Sequence, residues 1–568
     1  MRKSSFAPAG LFVVFALVLP AIIFAQQNRS ARRATDPNRS ATTTTPGTRP
    51  APSAPAIKSD LSEALAVIQT NHIDGRSLDY NGIFKSSISG MLSVLDPHST
   101  YFDPAEYAAF RTEQRSEYFG IGATIEDLRE GSDVNTFIRA TFPDAPAARA
   151  GLRYGDRILA VDGNSMKGKT YPEVRKFLLG PRGSTVKVTV EHASNKQTET
   201  VAIVRDAVSL PSIAQAYMLK QGVGYVAMTG GFNLTTDDEF GDALRQLHSR
   251  GMKMLVLDLR GNRGGLLIQA VRVANRFLQR GQMIVTQKGR IKDATQPYAA
   301  VNDNPDSVPL VVLVNGDSAS AAEIVAGALQ DHDRALIVGE TTFGKGLVQF
   351  PFQLDYDSAL LLTIAKYYTP SGRLIQRDYS NGGNYDYYFP GGLASDKNNQ
   401  AKPQQNGPQS QTDAGRAVYG GGGIAPDEIV KPGTISAAER HLRDILFAFS
   451  LELVSGRVKG FESYTIQRAI EFDHDLVNED YPITDALFSE VKKFAAAKTI
   501  FKVTPEQLDK SRSFAERQLR YNVLSAAYGY RTATQVFNEA DPQIGKAVDA
   551  MPRARDLAQA ASRARARG

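Results

Sequence analysis

Two almost entirely apolar runs constrain the fold of this chain more than any other feature of its sequence. They cover residues 254–259 (MLVLDL) and 311–314 (VVLV), and each is followed by a tight turn and then by apolar positions at helical spacing. Strands in which apolar and polar residues do not alternate are buried on both faces, as in a parallel sheet covered by helices. The repeated order of strand, turn and helix therefore predicts an α/β core with functional turns at the ends of its strands.

Other periodicities flank this core. Short alternating runs such as 186–190 (VKVTV), divided by Gly, Pro and Asp turns, predict a small β-rich domain before it, and apolar residues at helical spacing predict helices near both ends. At 568 residues the chain is too long for one hydrophobic core. The predicted divisions are an N-terminal helical segment at 58–115, the β-rich domain at 116–206, the core at 207–435 with a polar, mobile insertion at 393–415, and a C-terminal helical domain at 436–568.

The first residues have the composition of an export signal. Two basic residues precede an apolar run at 11–24, which is shorter than the roughly 20 residues that a bilayer-spanning helix needs. Residues 1–25 are predicted to be a signal peptide cleaved after Ala25, but Ile23 fits the cleavage pattern poorly and leaves an uncleaved membrane anchor as the alternative. Residues 26–57, rich in Ser, Thr, Pro and Arg, are predicted to be a disordered tether. The folded part is expected in the periplasm or at the outer face of the cytoplasmic membrane, with membrane contact only through an uncleaved signal.

The distribution of charge and the missing residue types exclude several classes of function. The formal net charge is +6, but the positive excess lies in the two ends, and residues 57–550 contain more acidic than basic side chains. This distribution argues against a nucleic-acid partner. The chain has no cysteine, which excludes disulfides, thiolate zinc sites and a cysteine nucleophile. None of its seven histidines lies in a metal-binding pair, and the histidines are interpreted as structural or surface residues. No metal or cofactor is expected.

A lysine is the other side chain that can activate a hydroxyl, provided that its amine is kept neutral. Two serine and lysine pairs are candidates. Ser489 and Lys492 form an S-x-x-K pattern without the companion motifs of penicillin-interacting enzymes, and they are interpreted as a solvated helix face. Ser320 instead opens a helix of small residues, where free N–H groups and the helix dipole stabilise negative charge, and Lys345 lies between two glycines with Gln349 four residues later. The residues alone leave open that Ser320 is a helix cap and Lys345 a loop lysine.

The residues around this second pair resemble a known family. Residues 316–349 (GDSASAAEIVAGALQDHDRALIVGETTFGKGLVQ) are similar to the active-site block of the carboxyl-terminal processing peptidases, also called tail-specific proteases. Two further blocks of that family match residues 257–265 (LDLRGNRGG) and 95–102 (LDPHSTYF). The PDZ domain of the family resembles residues 118–126 (YFGIGATIE) and 145–163 (APAARAGLRYGDRILAVDG). These blocks follow the order of the family.

The resemblance implies a role for each matching residue. Ser320 would be the nucleophile, Lys345 the general base and Gln349 its orienting partner. The oxyanion hole would be formed by the backbone N–H groups of Gly265 and Ala321. The terminal carboxylate of the substrate would bind to backbone N–H groups of the PDZ loop, which consists of Phe119, Gly120, Ile121 and Gly122.

Three further positions compare with the family in different ways. Asp331 matches an acidic position of the family, where a structural role in the turn after the helix is expected. Many relatives have serine where this chain has Ala322, a change that should be tolerated. Many also have arginine where this chain has Leu179, which puts in doubt any regulatory contact made through that arginine.

The resemblance implies a multidomain α+β chain with a ClpP/crotonase-like α/β protease core, an inserted PDZ domain and flanking helical segments. The expected function is that of an exported serine endopeptidase, which recognises apolar C-termini of polypeptides through its PDZ domain and cleaves near them by acyl-enzyme chemistry at a Ser/Lys dyad. The flanking helices are candidates for a homodimer contact, and an adaptor protein is a further candidate partner. The alternative is a non-catalytic PDZ adaptor or scaffold that binds C-terminal tails in the periplasm.

Overall fold

The computed structural model describes residues 53–380 and 407–565. The predicted signal peptide, the tether up to residue 52 and residues 393–406 of the predicted insertion lie outside the described residues. Residues 53–94 and residues 95–565 form two separate compact units. No helix in the described ranges is long and apolar enough to cross a membrane, and no cluster of His, Asp and Glu side chains within them could hold a metal ion.

The first unit consists of two helices, α1 (Ala54–Asn71) and α2 (Tyr80–Ser93). Each begins at a polar cap, because the side chain of Ser53 accepts the N–H of Ala56 and that of Asp79 accepts the N–H of Gly82. The helices are joined by a short 3₁₀ turn at Gly75–Ser77.

The second unit begins with a short strand and enters an antiparallel β domain. Its elements are β1 (Thr100–Phe102), α3 (Pro104–Glu113), β2 (Glu117–Gly120), β3 (Ala123–Glu130), β4 (Asp133–Thr141), α4 (Pro146–Arg149), β5 (Arg157–Val161), β6 (Asn164–Ser165), α5 (Tyr171–Leu178), β7 (Thr185–Glu191), β8 (Thr198–Val204) and β9 (Asp206–Ser209). The main sheet has the order β3-β4-β5-β7-β8, and β2 pairs with β9 where the chain enters and leaves the domain. Within the described residues β3 pairs with β4 alone, so its outer edge is available to a further strand.

The core of the second unit alternates strands and helices. Its elements are β10 (Gln215–Lys220), β11 (Val223–Ala227), α6 (Thr236–Ser249), β12 (Met254–Asp258), α7 (Leu267–Asn275), β13 (Met283–Gly289), β14 (Gln296–Ala299), β15 (Leu310–Val314), α8 (Ala321–Asp331), β16 (Leu336–Gly339), β17 (Leu347–Gln353), β18 (Ala359–Tyr368), β19 (Gln409–Gln411), β20 (Ala417–Tyr419) and β21 (Glu428–Ile429). The last residues of the predicted insertion, 407–415, thus contain β19, which pairs with β20.

Two sheets position the turns of this core. In the first, with the order β10-β11-β12-β15-β16-β21, the pairs from β11 onward are parallel. The two apolar runs are its adjacent strands β12 and β15, which confirms the predicted α/β core. Because the carboxyl ends of parallel neighbours meet at one edge, the turns after β12 and β15 lie side by side. In the second sheet β18 pairs with β1, β13 and β17.

The C-terminal helices pack against two different parts of the unit. They are α9 (Ala437–His441), α10 (Arg443–Val454), α11 (Asp485–Ala497), α12 (Pro505–Lys510), α13 (Arg512–Ala533), α14 (Gln535–Asn538), α15 (Pro542–Asp549) and α16 (Met551–Arg565). Helices α10, α11 and α13 share a hydrophobic cluster with Phe137 and Tyr154 of the antiparallel domain. Ile544 and Met551, from α15 and α16, instead pack on strands of the parallel sheet. The last helices therefore cover one face of the core, while α6, α7 and α8 cover the other.

Candidate active site

Ser320 lies where strand β15 turns into helix α8. Its backbone has φ 55° and ψ −113°, a conformation that non-glycine residues rarely adopt and that is often found at functional sites. The turn before it is held by Ser318, whose Oγ donates to the carbonyl of Leu259 (2.8 Å), and by Ala319, whose N–H donates to the carbonyl of Asn262 (2.9 Å). The strained serine is thus placed at the helix N-terminus by contacts with the neighbouring strand end.

Lys345 lies in the loop between β16 and β17. Its Nζ donates to Oε1 of Gln349 at 2.6 Å, and Nε2 of Gln349 donates to the backbone carbonyl of His98. Burial lowers the pKa of Lys345 to about 8, against the smaller opposing effects of the negative charges on Asp96 and Glu323. A lysine in such surroundings is partly neutral near pH 8, which a proton acceptor requires.

One buried carboxylate connects the loops of Ser320 and Lys345. Oε2 of Glu323 accepts the backbone N–H groups of both residues, each at 2.8 Å. Its Oε1 accepts the N–H of Gly344 (2.7 Å) and the hydroxyl of Thr342. Complete burial raises the pKa of Glu323, an effect that these four donors oppose. Glu323 therefore fixes the separation of the two backbone segments that carry Ser320 and Lys345.

A tyrosine makes a second connection between the same segments. The hydroxyl of Tyr367, a buried residue on β18, lies 3.0 Å from the carbonyl oxygen of Ser320 and 2.7 Å from that of Lys345. Tyr367 and Glu323 were not singled out from the sequence. Glu323 could have been found, because a serine followed three residues later by glutamate is the pattern of a helix capping box. Tyr367 has no comparable local signal.

We expect Glu323→Gln to lower kcat/KM by about 10²-fold, because a glutamine presents only one acceptor oxygen to four donors and the loops must shift. At least one buried donor loses its partner, so we also expect a loss of about 1–3 kcal/mol in the free energy of unfolding. Steady-state kinetics and denaturant unfolding measure the two effects. Glu340→Gln is the matched control, since Glu340 lies on the loop of Lys345 and makes none of these contacts. Equal effects of the two substitutions would contradict the connecting role of Glu323.

The turn after β12 carries the predicted oxyanion donor Gly265 towards Ser320, whereas the second donor, Ala321, is the next residue in the chain. Gly264, with φ 96°, approaches so closely that a Cβ on it would lie 2.8 Å from Cβ of Ser320 and 3.0 Å from the amide nitrogen of Ala321. Gly265 has φ 140°, and a Cβ there would lie 2.3 Å from the carbonyl oxygen of Phe232. Only glycine fits either position. Among the described residues the N–H groups of Gly265 and Ala321 have no hydrogen-bond partner, so both are available to an oxyanion.

The predicted carboxylate loop lies at the start of the edge strand β3. Ile121 is buried, and its carbonyl accepts the N–H of Ala147 at 2.7 Å. The N–H of Gly122 donates to the hydroxyl of Tyr118, whose pKa is raised by burial. A Cβ on Gly120 would lie 3.0 Å from the ring of Tyr118 and 3.2 Å from the side chain of Leu179 at the end of α5. The loop is therefore enclosed between strand, helix end and tyrosine ring, with Phe119 beside it.

The Ser489 and Lys492 pair and Asp331 lie apart from the loops of Ser320 and Lys345. Lys492 forms an exposed ion pair with Asp509 (3.1 Å) on the surface of α11, which also carries Ser489. Asp331 is buried at the end of α8, where its carboxylate pairs with Arg373 and accepts the N–H and hydroxyl of Ser371. These contacts join the end of α8 to residues 371–373, which follow β18, and they include neither Ser320 nor Lys345.

Comparisons with known proteins identify the family to which this chain is similar. The model of peptidase family S41 matches residues 222–387, and that of a PDZ domain matches residues 137–192. The carboxy-terminal-processing protease of Bartonella bacilliformis is 38% identical over 304 residues, which are 52% of this chain and 68% of the relative. The carboxy-terminal processing protease CtpA of Bacillus subtilis is 33% identical over 318 residues, 56% of this chain and 66% of that protein. Among solved structures, a photosystem II D1 C-terminal processing protease is 31% identical. The match covers 55% of this chain and 88% of that chain, with a TM-score of 0.32.

The S41 model covers the motifs at 257–265 and 316–349, and the PDZ model covers the motif at 145–163. The S41 match includes Ser320, Lys345 and Gln349, and the PDZ match runs from strand β4 to the end of β7. The predicted resemblance is therefore confirmed, together with a mixed α/β fold of several domains. The chain belongs to the carboxy-terminal-processing proteases of peptidase family S41 and is a serine endopeptidase that carries a PDZ domain.

Proposed function

We propose that this serine endopeptidase uses Ser320 as nucleophile and Lys345 as general base, and that its PDZ domain captures the C-termini of its substrates. The observation that carries the proposal is the buried amine of Lys345, whose N–H is held by Gln349 while Glu323 ties its backbone to that of Ser320. An amine held in this way, with its pKa lowered to about 8, can keep its lone pair for a proton.

The proposed chemistry has two halves. Nζ of Lys345 takes the proton of Ser320 Oγ while Oγ bonds to the carbonyl carbon of the substrate, and the resulting oxyanion is stabilised by the N–H groups of Gly265 and Ala321. The tetrahedral intermediate collapses, the C–N bond breaks, and the leaving amine receives the proton from Lys345. A water molecule then gives a proton to Lys345 and attacks the acyl-enzyme, which releases the acid product and returns the proton to Ser320. Gln349 orients the amine throughout.

The PDZ domain offers the groups that a C-terminal tail needs. A tail could add as a strand to the open edge of β3, with its carboxylate at the N–H groups of the loop 119–122. In the structure one of these N–H groups, that of Gly122, donates to the hydroxyl of Tyr118, so a bound carboxylate would replace this hydroxyl as the acceptor. Partly buried apolar side chains nearby, those of Ile125 and Phe177, favour an apolar tail.

We extend the proposal to the finer architecture and to the location of the protein. The parallel sheet with its active turns at the carboxyl ends, and the separate antiparallel sheet in which β18 pairs with β13, support a ClpP/crotonase-like core. From the sequence features and the family resemblance given above, we also propose the domain divisions and export to the periplasm or the outer face of the cytoplasmic membrane. On the same basis we propose a homodimer through the helical segments and an adaptor partner.

The experiment that tests the function uses one unstructured polypeptide with three C-terminal ends: an apolar tail with a free carboxylate, the same tail amidated, and a tail of charged residues. We expect cleavage near the C-terminus of the first, with KM at least about tenfold higher for the other two, because they lose the carboxylate contacts or the apolar contact. Initial rates and mass spectrometry of the products measure this. Equal rates for all three ends would overturn tail recognition, and no cleavage of any end would support the alternative of a non-catalytic adaptor.

A further inference from the structure

The turn at residues 96–99 lies directly behind Gln349. Asp96 is 8% exposed, and both of its carboxylate oxygens are used to fold the turn. Oδ1 accepts the backbone N–H groups of His98 and Ser99, each at 2.8 Å, and Oδ2 accepts the hydroxyl of Ser99 at 2.6 Å. Since its N–H and that of the next residue are held in this way, the direction of the His98 carbonyl is determined by Asp96.

That carbonyl decides which end of the Gln349 amide faces the lysine. Nε2 of Gln349 donates to the carbonyl oxygen of His98, so Oε1 is left to accept from Nζ of Lys345. With the amide reversed, its NH₂ group would face the amine, and its oxygen would face the carbonyl oxygen of His98. Without a fixed carbonyl, both orientations of the amide become accessible.

The turn and Gln349 are held in register by the same strand. Gln349 is paired with Thr363 between β17 and β18, and the N–H of Thr363 donates to Oγ of Ser99 at 3.1 Å. On the other edge of β18, Thr100 pairs with Leu361. Ser99 therefore connects the carboxylate of Asp96 to the residue that lies opposite Gln349.

We propose that Asp96 is a positioning residue of the catalytic machinery, which acts through the His98 carbonyl on Gln349 and through its own negative charge on Lys345. The proposal rests on the proposed function, in which Lys345 is the base. It assigns a role in catalysis to the segment that precedes the PDZ domain, more than 200 residues before the nucleophile in the sequence.

The charges around Lys345 determine the sign of the expected pH effect. Asp96 and Glu323 both stabilise the ammonium form of Lys345, whereas burial favours the neutral amine. His98 is neutral at working pH, because burial and then the charge of Lys345 lower its pKa to about 3. On the far side of Asp96, the pKa of Tyr379 is raised by burial and by the charges of Asp96 and Asp378. Removing the charge of Asp96 should therefore lower the pKa of Lys345 further.

The test is the pH profile of kcat/KM for Asp96→Asn. We expect the plateau at high pH to fall by about 10²-fold, because the NH₂ group that replaces Oδ2 cannot accept the hydroxyl of Ser99, so the turn that fixes the His98 carbonyl is loosened and the Gln349 amide with it. We also expect the acid limb to move to lower pH, because the neutral amine persists there. A purely structural role would lower the activity at every pH without moving the limb. Asp103→Asn is the matched control: Asp103 caps α3 with its Oδ1 and is not one of the charges that act on Lys345, so this change removes a carboxylate of the same segment and should leave the limb unmoved.

A second variant, Ser99→Ala, separates the positioning role of Asp96 from the effect of its charge on Lys345. It also tests the proposal if the Asp96→Asn protein does not fold. Ser99→Ala keeps the carboxylate but breaks its connection to Thr363, so we expect a lower plateau with the acid limb of the wild type. Wild-type activity of Ser99→Ala, or a wild-type profile of Asp96→Asn, would overturn the proposal. Turnover by a Lys345→Met variant would overturn Lys345 as the proposed base. If Lys345→Met loses turnover and Asp96→Asn keeps the wild-type pH profile, only the role of Asp96 is overturned.

Discussion

Replacing Ser320 by alanine is expected to reduce kcat by about 10⁶-fold, because the acyl-enzyme can no longer form and only substrate binding and the oxyanion donors remain. The substitution removes a single oxygen at the helix N-terminus, and the contacts of Glu323 with the Ser320 backbone do not depend on that oxygen. We therefore expect an unchanged fold and unchanged binding of apolar C-terminal tails, measured by thermal unfolding and by titration with a labelled peptide.

The control for this variant is Ser489→Ala, which removes the serine of the S-x-x-K pattern on α11. We expect wild-type rates for it. If Ser320→Ala and Ser489→Ala retained similar activity, the nucleophile would have to be sought elsewhere in the chain. Mass spectrometry of a covalent serine-directed inhibitor, with the label on the peptide that contains Ser320, is an independent measurement.

Replacing Lys345 by methionine is expected to reduce kcat/KM by about 10⁴-fold or more, because no other group that we have identified beside Ser320 can take its proton. Methionine keeps most of the volume of the side chain, so the loss is not caused by a cavity. In the proposed mechanism the neutral amine is the active form. Since the pKa of Lys345 is lowered to about 8, kcat/KM should rise with pH through a limb near pH 8. The control is Lys492→Met, which should keep both the rate and the limb.

The same variant has an expected effect on stability with a defined sign. The folded protein holds Lys345 with a pKa of about 8 and the unfolded chain with its usual 10.5, so the unfolded state binds more protons between these values and wild-type stability rises with pH there. Below pH 8 the buried ammonium is a cost of at most about 3 kcal/mol, which Lys345→Met does not have. We expect the variant to be more stable than the wild type at pH 7, with an advantage that disappears towards pH 10.5. Denaturant unfolding at several pH values measures this, and a difference independent of pH would contradict it.

Local patterns in the sequence predicted the elements that carry the chemistry. The apolar runs predicted β12 and β15, and the small-residue segment after the second run predicted α8 with Ser320 at its start. These predictions hold because a strand that is buried on both faces has apolar side chains at consecutive positions. The glycines at 264 and 265 are likewise required locally, by a backbone conformation that other residues rarely adopt.

The partners of these elements could not be inferred in this way. The sequence predicts a C-terminal helical domain and does not show that α15 and α16 pack on the parallel sheet while α10, α11 and α13 pack against the antiparallel domain. Periodicity shows that a helix has an apolar face and does not show which surface covers it. Tyr367, which connects the Ser320 and Lys345 segments, depends on how β18 pairs with its neighbours.

The sequence alone determined the sheet type, and it was sufficient to name Ser320 as the candidate nucleophile and Lys345 as the candidate base, since each depends on residues close together in the chain. Only the tertiary structure decided that Lys345 is buried, that one carboxylate at Glu323 holds it beside Ser320, and that the amide of Gln349 is oriented by a carbonyl some 250 residues away. The physical reason is that a pKa and an orientation are set by what surrounds a group in space. In this protein the parallel pairing of β12 with β15, and the pairing of β18 with both β1 and β17, create those surroundings.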